Sequence, residues 1–386
     1  MEHHPNNERM LRSRRFWKFA SCGLAVLIIL LILTGIRHQK IDDMDNNIIV
    51  ASEIWEDKEI RQNQLVNFTQ FEYTIKSNSC QNFDRELLGV IIVTSYLGHD
   101  ELRSAHRQAI SQVKLNEMGL LRVFLLAEKP NREKFIRQEQ IVDESHKFKD
   151  IVQGNFVEAY RNLTYKHIMG LKWASLECQK AKFIVKVDDD TVFDVFYLKR
   201  YLESLEIEGK ANSNFLAGYV LDNKKPIRVS VNKWYVTRQE YAEDLYPDYL
   251  SGWLYITNPA TALLLILQSQ QEPFFWIDDT YVTGILRHKV GVPIIRLNKW
   301  FSANAEFLDC CIRDLKNSQF ECEYYVGPNG GDSKLITEFL HNVEKCYFDE
   351  CIKRPPEKSL KATCVASAKT LLQDHGEALV REVHLR

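Results

Sequence analysis

The chain has 386 residues, 45% hydrophobic and 26% charged, with a formal net charge of −2. That length accommodates an α/β domain of ~250 residues plus tails. With no sustained basic stripe beyond the extreme N-terminus, the charge pattern argues against a nucleic-acid partner.

From Phe19 to Ile36 the sequence is uncharged and mostly Leu, Ile, Val and Ala, just long enough to cross a bilayer core of ~30 Å at 1.5 Å per residue. It is too long for the apolar region of a cleaved signal peptide, and no A-x-A-like site follows, so it reads as a retained signal anchor. Arg9, Arg12, Arg14, Arg15 and Lys18 precede it, whereas Arg37 and Lys40 give way to Asp42, Asp43 and Asp45. The positive-inside rule puts the N-terminus in the cytosol and the remainder in the lumen. So short a span suits the thin membranes of the early secretory pathway. The expected organisation is a cytosolic tail (1–18), an anchor (19–36), a stem (37–86), a catalytic domain (87–345) and a cysteine-containing tail (346–386).

Cys22 falls in the anchor, and the other eight cysteines would face an oxidising lumen, where an even number allows full pairing. Sequence does not choose among the 105 connectivities of eight cysteines. Six of the eight follow residue 309, so the C-terminal third is expected to be stapled. No pair has the CxxC spacing of a zinc site. The stem is polar and weakly periodic, and Asn67-Phe68-Thr69 within it is an N-glycosylation acceptor.

Leu87–Thr94 reads as the first strand of the domain. Leu102, Ala105, Ala109, Ile110 and Val113 then recur at helical spacing. This helix places Arg103 and Arg107 near the strand's C-terminal end, either to meet a phosphate or as a solvated face. A second strand covers Leu121–Leu126. An amphipathic helix is expected from Phe156 to Leu176, which makes the second formal acceptor, Asn162-Leu163-Thr164, a poor glycosylation substrate. Alternating strands and helices predict a mostly parallel sheet with helices on both faces.

Phe183-Ile184-Val185 leads into Lys186-Val187-Asp188-Asp189-Asp190, a buried strand delivering three carboxylates to its C-terminal end, where open α/β sheets bind ligands. Two carboxylates one residue apart can hold a hard divalent cation whose remaining positions go to phosphate or water. A solvated acidic turn or a helix N-cap is the alternative. A calcium loop fits poorly, because Phe193 stands where the turn glycine belongs. A helix to Leu205 and a strand over Asn214–Val220 follow. Next come Lys233-Trp234-Tyr235, Tyr246-Pro247-Asp248-Tyr249 and Ser251-Gly252, either core aromatics or a surface for a sugar ring. Phe274–Ile277 then runs into Asp278-Asp279, where an aspartate at a helix start is either an N-cap or a general base.

Taken together and in this order, Asn162-Leu163-Thr164 with Lys166, Cys178, Lys186–Asp190, Lys233–Tyr235, Tyr246–Gly252 and Asp278–Gly284 resemble the β-1,3-galactosyltransferase family of inverting Golgi enzymes. The similarity covers roughly Leu87 to Val292. It implies a GT-A fold with a mostly parallel Rossmann-like sheet, a UDP-sugar donor, Mn²⁺ or another divalent cation, and a single-pass type II protein of the Golgi membrane. The implied reaction moves galactose or an N-acetylhexosamine to the 3-hydroxyl of an acceptor glycan on glycoprotein or glycolipid. By matching positions, Asp188 and Asp190 are metal carboxylates and Asp189 joins Asp188 on the donor. Asp279, beside Asp278, is the base, Arg103 and Arg107 are donor-side, and Trp234, Tyr235, Tyr246, Tyr249 and Gly252 line the acceptor side. The chain departs from the family in having Ala109-Ile110 where Thr-Trp is usual and no histidine in Glu321–Val326. The competing reading is a lumenal sugar-binding or chaperone-like protein on the same scaffold. A two-metal hydrolase lacks the extra His and carboxylate cluster it needs.

Overall fold

The computed structural model describes residues 60–349 and 351–365. The expected anchor, Phe19–Ile36, the stem up to residue 59 and the tail beyond residue 365 lie outside the described residues. Among the described residues no helix is long and apolar enough to cross a membrane.

In chain order the strands are β1 (Tyr73–Ile75), β2 (Gly89–Thr94), β3 (Leu120–Glu128), β4 (Ile151–Val157), β5 (Phe183–Asp188), β6 (Thr191–Phe193), β7 (Leu216–Leu221), β8 (Tyr249–Thr257), β9 (Ile294–Arg296) and β10 (Val326–Pro328). Eight of them form one sheet in the order β1-β4-β3-β2-β5-β8-β7-β9, and β6 pairs with β10. β2 is buried at every position, as a strand covered on both faces must be. β4, β3, β2 and β5 run parallel, as do β7 and β9. The mostly parallel expectation thus holds for the block β4-β3-β2-β5, with the edge strand β1 antiparallel to β4. β8 is antiparallel to both its neighbours, because the connection 222–248 returns from β7 without the crossover helix that parallel pairing needs.

The main helices are α1 (Asp100–Ala109), α2 (Gln112–Glu117), α3 (Gln138–Phe148), α4 (Leu163–Glu177), α5 (Val195–Ile207), α6 (Pro259–Ser269), α7 (Thr280–Leu286, wound as π-type turns), α8 (Glu306–Ser318) and α9 (Ser333–Asp349). Two expectations need correcting. The helix expected from Phe156 starts at Leu163, because Ile151–Val157 is strand β4. Nor is α4 amphipathic: it is buried nearly all round, Lys166 and Lys172 included. Such lysines need internal partners. Lys166 Nζ donates to Glu158 Oε1 at 2.6 Å and to the Ser95 carbonyl, and Lys172 Nζ to the Gln62 and Gln64 carbonyls.

That last contact shows why part of the expected stem belongs to the fold, which begins at Gln62. Leu65 and Phe71 are buried, β1 pairs with β4, and Cys80 is bonded to Cys178 at the end of α4. The remaining disulfides are Cys310–Cys364, Cys311–Cys322 and Cys346–Cys351, so all eight cysteines beyond the expected anchor pair. The expected boundary at 345/346 falls inside α9. Asn67 is exposed and accepts from the Tyr165 hydroxyl at 2.7 Å. Asn162 sits at the start of α4 rather than in its interior. Its acceptor sequence is closed because Thr164 is buried and donates to the Phe275 carbonyl.

Candidate active site

β5 ends beside β2 with Asp188 opposite Thr94, and Lys186 pairs across to Tyr255 on β8. This register carries the acidic turn to the edge of the parallel strands and sets Gly252, three residues before Tyr255, next to it. Asp279, at the start of α7, completes the group: its Oδ2 accepts from the Gly252 N–H at 2.7 Å, while Oδ1 accepts no hydrogen bond. Lys186 is buried between the acids. Its Nζ donates to Asp188 Oδ1 at 2.6 Å and to the Gly252 carbonyl at 2.9 Å, and lies 3.9 Å from Asp279 Oδ1. Gly252 is required by close approach, since a Cβ there would stand 2.7 Å from both Asp279 oxygens and 2.8 Å from Asp188 Oδ2.

Electrostatics follow from this crowding. Burial, with Asp278 adding its charge, pushes Asp279 well above the usual carboxylate range. Burial also raises Asp188, although Lys186 offsets part of the effect, and burial together with Asp188 and Asp189 raises Asp190. Carboxylates forced together in this way fit a hard divalent cation, which would relieve their repulsion. Burial alone would raise Asp278 too, but His167 and Lys186 outweigh it and hold that carboxyl below its ordinary value.

Asp189 faces elsewhere. Its carboxylate is buried against His99 Nδ1 at 2.8 Å, and its carbonyl is bonded to His106 Nε2 at 2.8 Å. It latches the turn to α1 and the loop before it. Arg103 and Arg107 are likewise committed to protein groups. Arg103 is fully buried, forks onto Glu144 at 2.7 and 2.8 Å and donates to the Tyr96 and Leu97 carbonyls. Arg107 bridges Glu144 and Asp150. The solvated-face reading of these arginines is therefore corrected. Arg103 fixes the loop after β2 beside the acidic turn, and Arg107 ties α1 to Glu144 and Asp150.

Two residues that the sequence did not single out belong to the site. His167 on α4 bonds to Asp278 Oδ2 at 3.0 Å through Nδ1 and to the Tyr255 hydroxyl at 2.7 Å through Nε2. His167, Asp278 and Asp279 offer ligand atoms within 4.8 Å of one another. With both imidazole nitrogens engaged, however, this histidine acts as a brace. Tyr160 feels the charges of Asp278, Asp279 and Asp188 on top of its burial, and its hydroxyl accepts from Trp234 Nε1 at 2.7 Å. Trp234 is thereby tied to the rim of the acidic cleft, with the Lys233 ammonium 4.6 Å from the Tyr160 ring.

Of the other aromatics, Tyr246 and Tyr249 adjoin each other, with ring centres 6.2 Å apart. Tyr249 begins β8 and is pushed up to about 12 by burial and by Asp279. Tyr246 is buried, with its ring 6.0 Å from Phe275. Tyr235 is held by its N–H to the Asn232 carbonyl and by a bridge to Ile227. No histidine lies in Glu321–Val326. Its last residue, Val326, pairs with Phe193, and Asn329 just beyond donates its backbone N–H to the Asp190 carbonyl at 2.8 Å.

The profile of the galactosyltransferase family matches residues 102–298, which spans Arg103, Arg107, Tyr160, His167, Lys186–Asp190, Trp234, Gly252 and Asp278-Asp279. Among curated relatives, human beta-1,3-galactosyltransferase 5 is 28% identical over 236 residues, 60% of this chain and 73% of that protein. Mouse beta-1,3-galactosyltransferase 1 is 29% identical over 228 residues, 59% and 68% respectively.

Proposed function

The chain belongs to the galactosyltransferase family and is a hexosyltransferase; we propose that it moves galactose or an N-acetylhexosamine from a UDP-sugar to the 3-hydroxyl of an acceptor glycan, with inversion. The observation that carries the mechanism is Asp279. One of its oxygens is anchored on the Gly252 N–H, the other accepts no hydrogen bond, and burial with Asp278 beside it pushes the carboxyl well above the ordinary carboxylate range. A general base is most effective when its pKa lies near the operating pH. Asp279 accepts the proton of the acceptor hydroxyl as that oxygen attacks the anomeric carbon. Lys186 and Gly252 hold the carboxylate in place, and His167 keeps Asp278 ionised beside it.

Asp188 and Asp190 would hold Mn²⁺ or another divalent cation together with the donor diphosphate. When bound, that ion neutralises the charge growing on the departing UDP. A glycosidase would need a second carboxylic acid to protonate its leaving group. Trp234, Tyr160 and Tyr249 would present aromatic faces to the acceptor, with the buried Tyr246 packed against Tyr249. Arg103 and Asp189 would support the donor side by fixing the loop around Ser95–His99, and Arg107 by holding Glu144, the carboxylate on which Arg103 is forked. We place the protein in the Golgi membrane, anchored through Phe19–Ile36 with its catalytic domain lumenal and Asn67 glycosylated.

The test is transfer from UDP-galactose, UDP-N-acetylglucosamine and UDP-N-acetylgalactosamine to a panel of β-linked acceptors, with and without Mn²⁺. Metal-dependent transfer from one donor, lost in Asp190→Ala, is expected. Metal-dependent UDP binding without transfer to any acceptor would favour a sugar-binding scaffold instead.

A further inference from the structure

Away from the acidic cleft, α5, α9 and the segment 321–325 enclose a cavity of about 770 Å³, within the range of small-ligand sites. β6, three residues at ~3.3 Å each, separates Asp190 from Asp194 on its rim. We infer that this cavity is a second carbohydrate site, binding a neutral sugar unit of a glycan.

The walls are aromatic and braced. Tyr197 stacks on Tyr325 with ring centres 3.5 Å apart, Tyr347 stacks on Phe196 at 4.9 Å, and Trp300 packs edge-on against Tyr201 at 4.5 Å. Disulfides 311–322 and 346–351 fix two of its sides. Among the described residues, Arg200 and Glu321 line the cavity without forming an ion pair; both are exposed, and the Arg200 guanidinium lies over the Tyr197 and Tyr347 rings at 5.8 and 5.3 Å from their centres, its N–H edge and the Glu321 carboxylate remaining at the cavity.

Charge decides the ligand class. Asp194 and Glu321 against Arg200 leave the lining net negative, which disfavours phosphate, nucleotide or sialylated ligands. A purely apolar ligand would make no use of Arg200 and Glu321, both exposed on the cavity's lining, while Asp194 already accepts from the Phe196 and Tyr197 N–H groups as the cap of α5. A neutral pyranose satisfies both demands, its C–H face on a tyrosine ring and its vicinal hydroxyls on Glu321 and Arg200. This site stands independently of the transfer reading, because none of its lining residues belongs to the acidic cleft.

The experiment is photolabelling of the full-length chain with a diazirine-bearing N-acetyllactosamine probe, followed by mapping of the labelled peptides. Label on peptides containing residues 197–204 or 321–325 is expected, falling about ten-fold in Arg200→Ala, the loss of a charge-assisted hydrogen bond. Tyr201→Ala should behave likewise with its melting transition retained. Label confined to peptides of the acidic cleft, or cavity label unchanged in both folded variants, would overturn the inference.

Discussion

Replacing Gly252 by alanine inserts one methyl group at the point where β8, the acidic turn and α7 converge. Its Cβ would lie 2.7 Å from both Asp279 oxygens and 2.8 Å from Asp188 Oδ2, where ordinary contact begins at 3.4 Å. The carboxylates must therefore retreat by roughly 0.7 Å, or the strand must shift; overpacking of this kind costs about 1–3 kcal/mol. Retreat also stretches the 2.7 Å bond that fixes Asp279 on the Gly252 N–H. Misplacement of a reacting group by ~1 Å costs on the order of 100-fold in rate. Gly252→Ala is thus expected to fold, to melt several degrees lower, to lose about two orders of magnitude in kcat, and to bind donor more weakly because Asp188 is displaced as well. Steady-state transfer kinetics, UDP titration and a thermal melt read the three quantities. A variant with wild-type kcat and an unchanged melting point would refute the close approach on which the site is built.

Removing Cys80–Cys178, which closes a loop of 98 residues, should cost about 2–5 kcal/mol, measurable by denaturant unfolding of Cys80→Ser/Cys178→Ser. Lys166→Met strands the Glu158 carboxylate in the interior and should destabilise by about 3–5 kcal/mol, whereas pairing it with Glu158→Leu should recover most of the loss. Asp194, half-buried at the start of α5, is raised to about 6, chiefly by burial. With the folded pKa above the unfolded value of 3.8, folding takes up a proton. Stability linked to this group is complete below pH 4 and is lost as pH rises through 6. Asp194→Asn keeps the cap and should therefore gain about 1 kcal/mol at pH 7, after discounting for solvent access, and nothing at pH 4. Urea titrations at the two pH values give the comparison.

What the sequence revealed followed from local chemistry. β2 carries an unbroken β-branched run from Val90 to Thr94 and β5 opens on Phe183-Ile184-Val185, so their burial could be read directly, and the carboxylates of Lys186–Asp190 and Asp278-Asp279 stand at element ends where they announce a cleft. β4 was hidden because Gln153, Gly154 and Asn155 interrupt its apolar pattern, although Gln153 is buried and bonded to Ala127. α4 misled for the opposite reason. Its lysines look solvent-facing until distant partners from 62–64 and Glu158 are known. His167 meets Asp278 across 111 residues, and Arg103 meets Glu144 across 41. Neither pairing leaves a mark on local spacing. The long connection 222–248 likewise gave no sign that β8 would insert antiparallel between β5 and β7.

The most direct measurement is single-turnover transfer by Asp279→Asn, alongside UDP-sugar binding by the same variant. Asparagine keeps the oxygen that accepts from Gly252 and removes the proton acceptor, so a rate loss of about 10²–10⁴-fold with donor binding intact is expected. Transfer at near-wild-type rate would contradict the assignment of Asp279 as base.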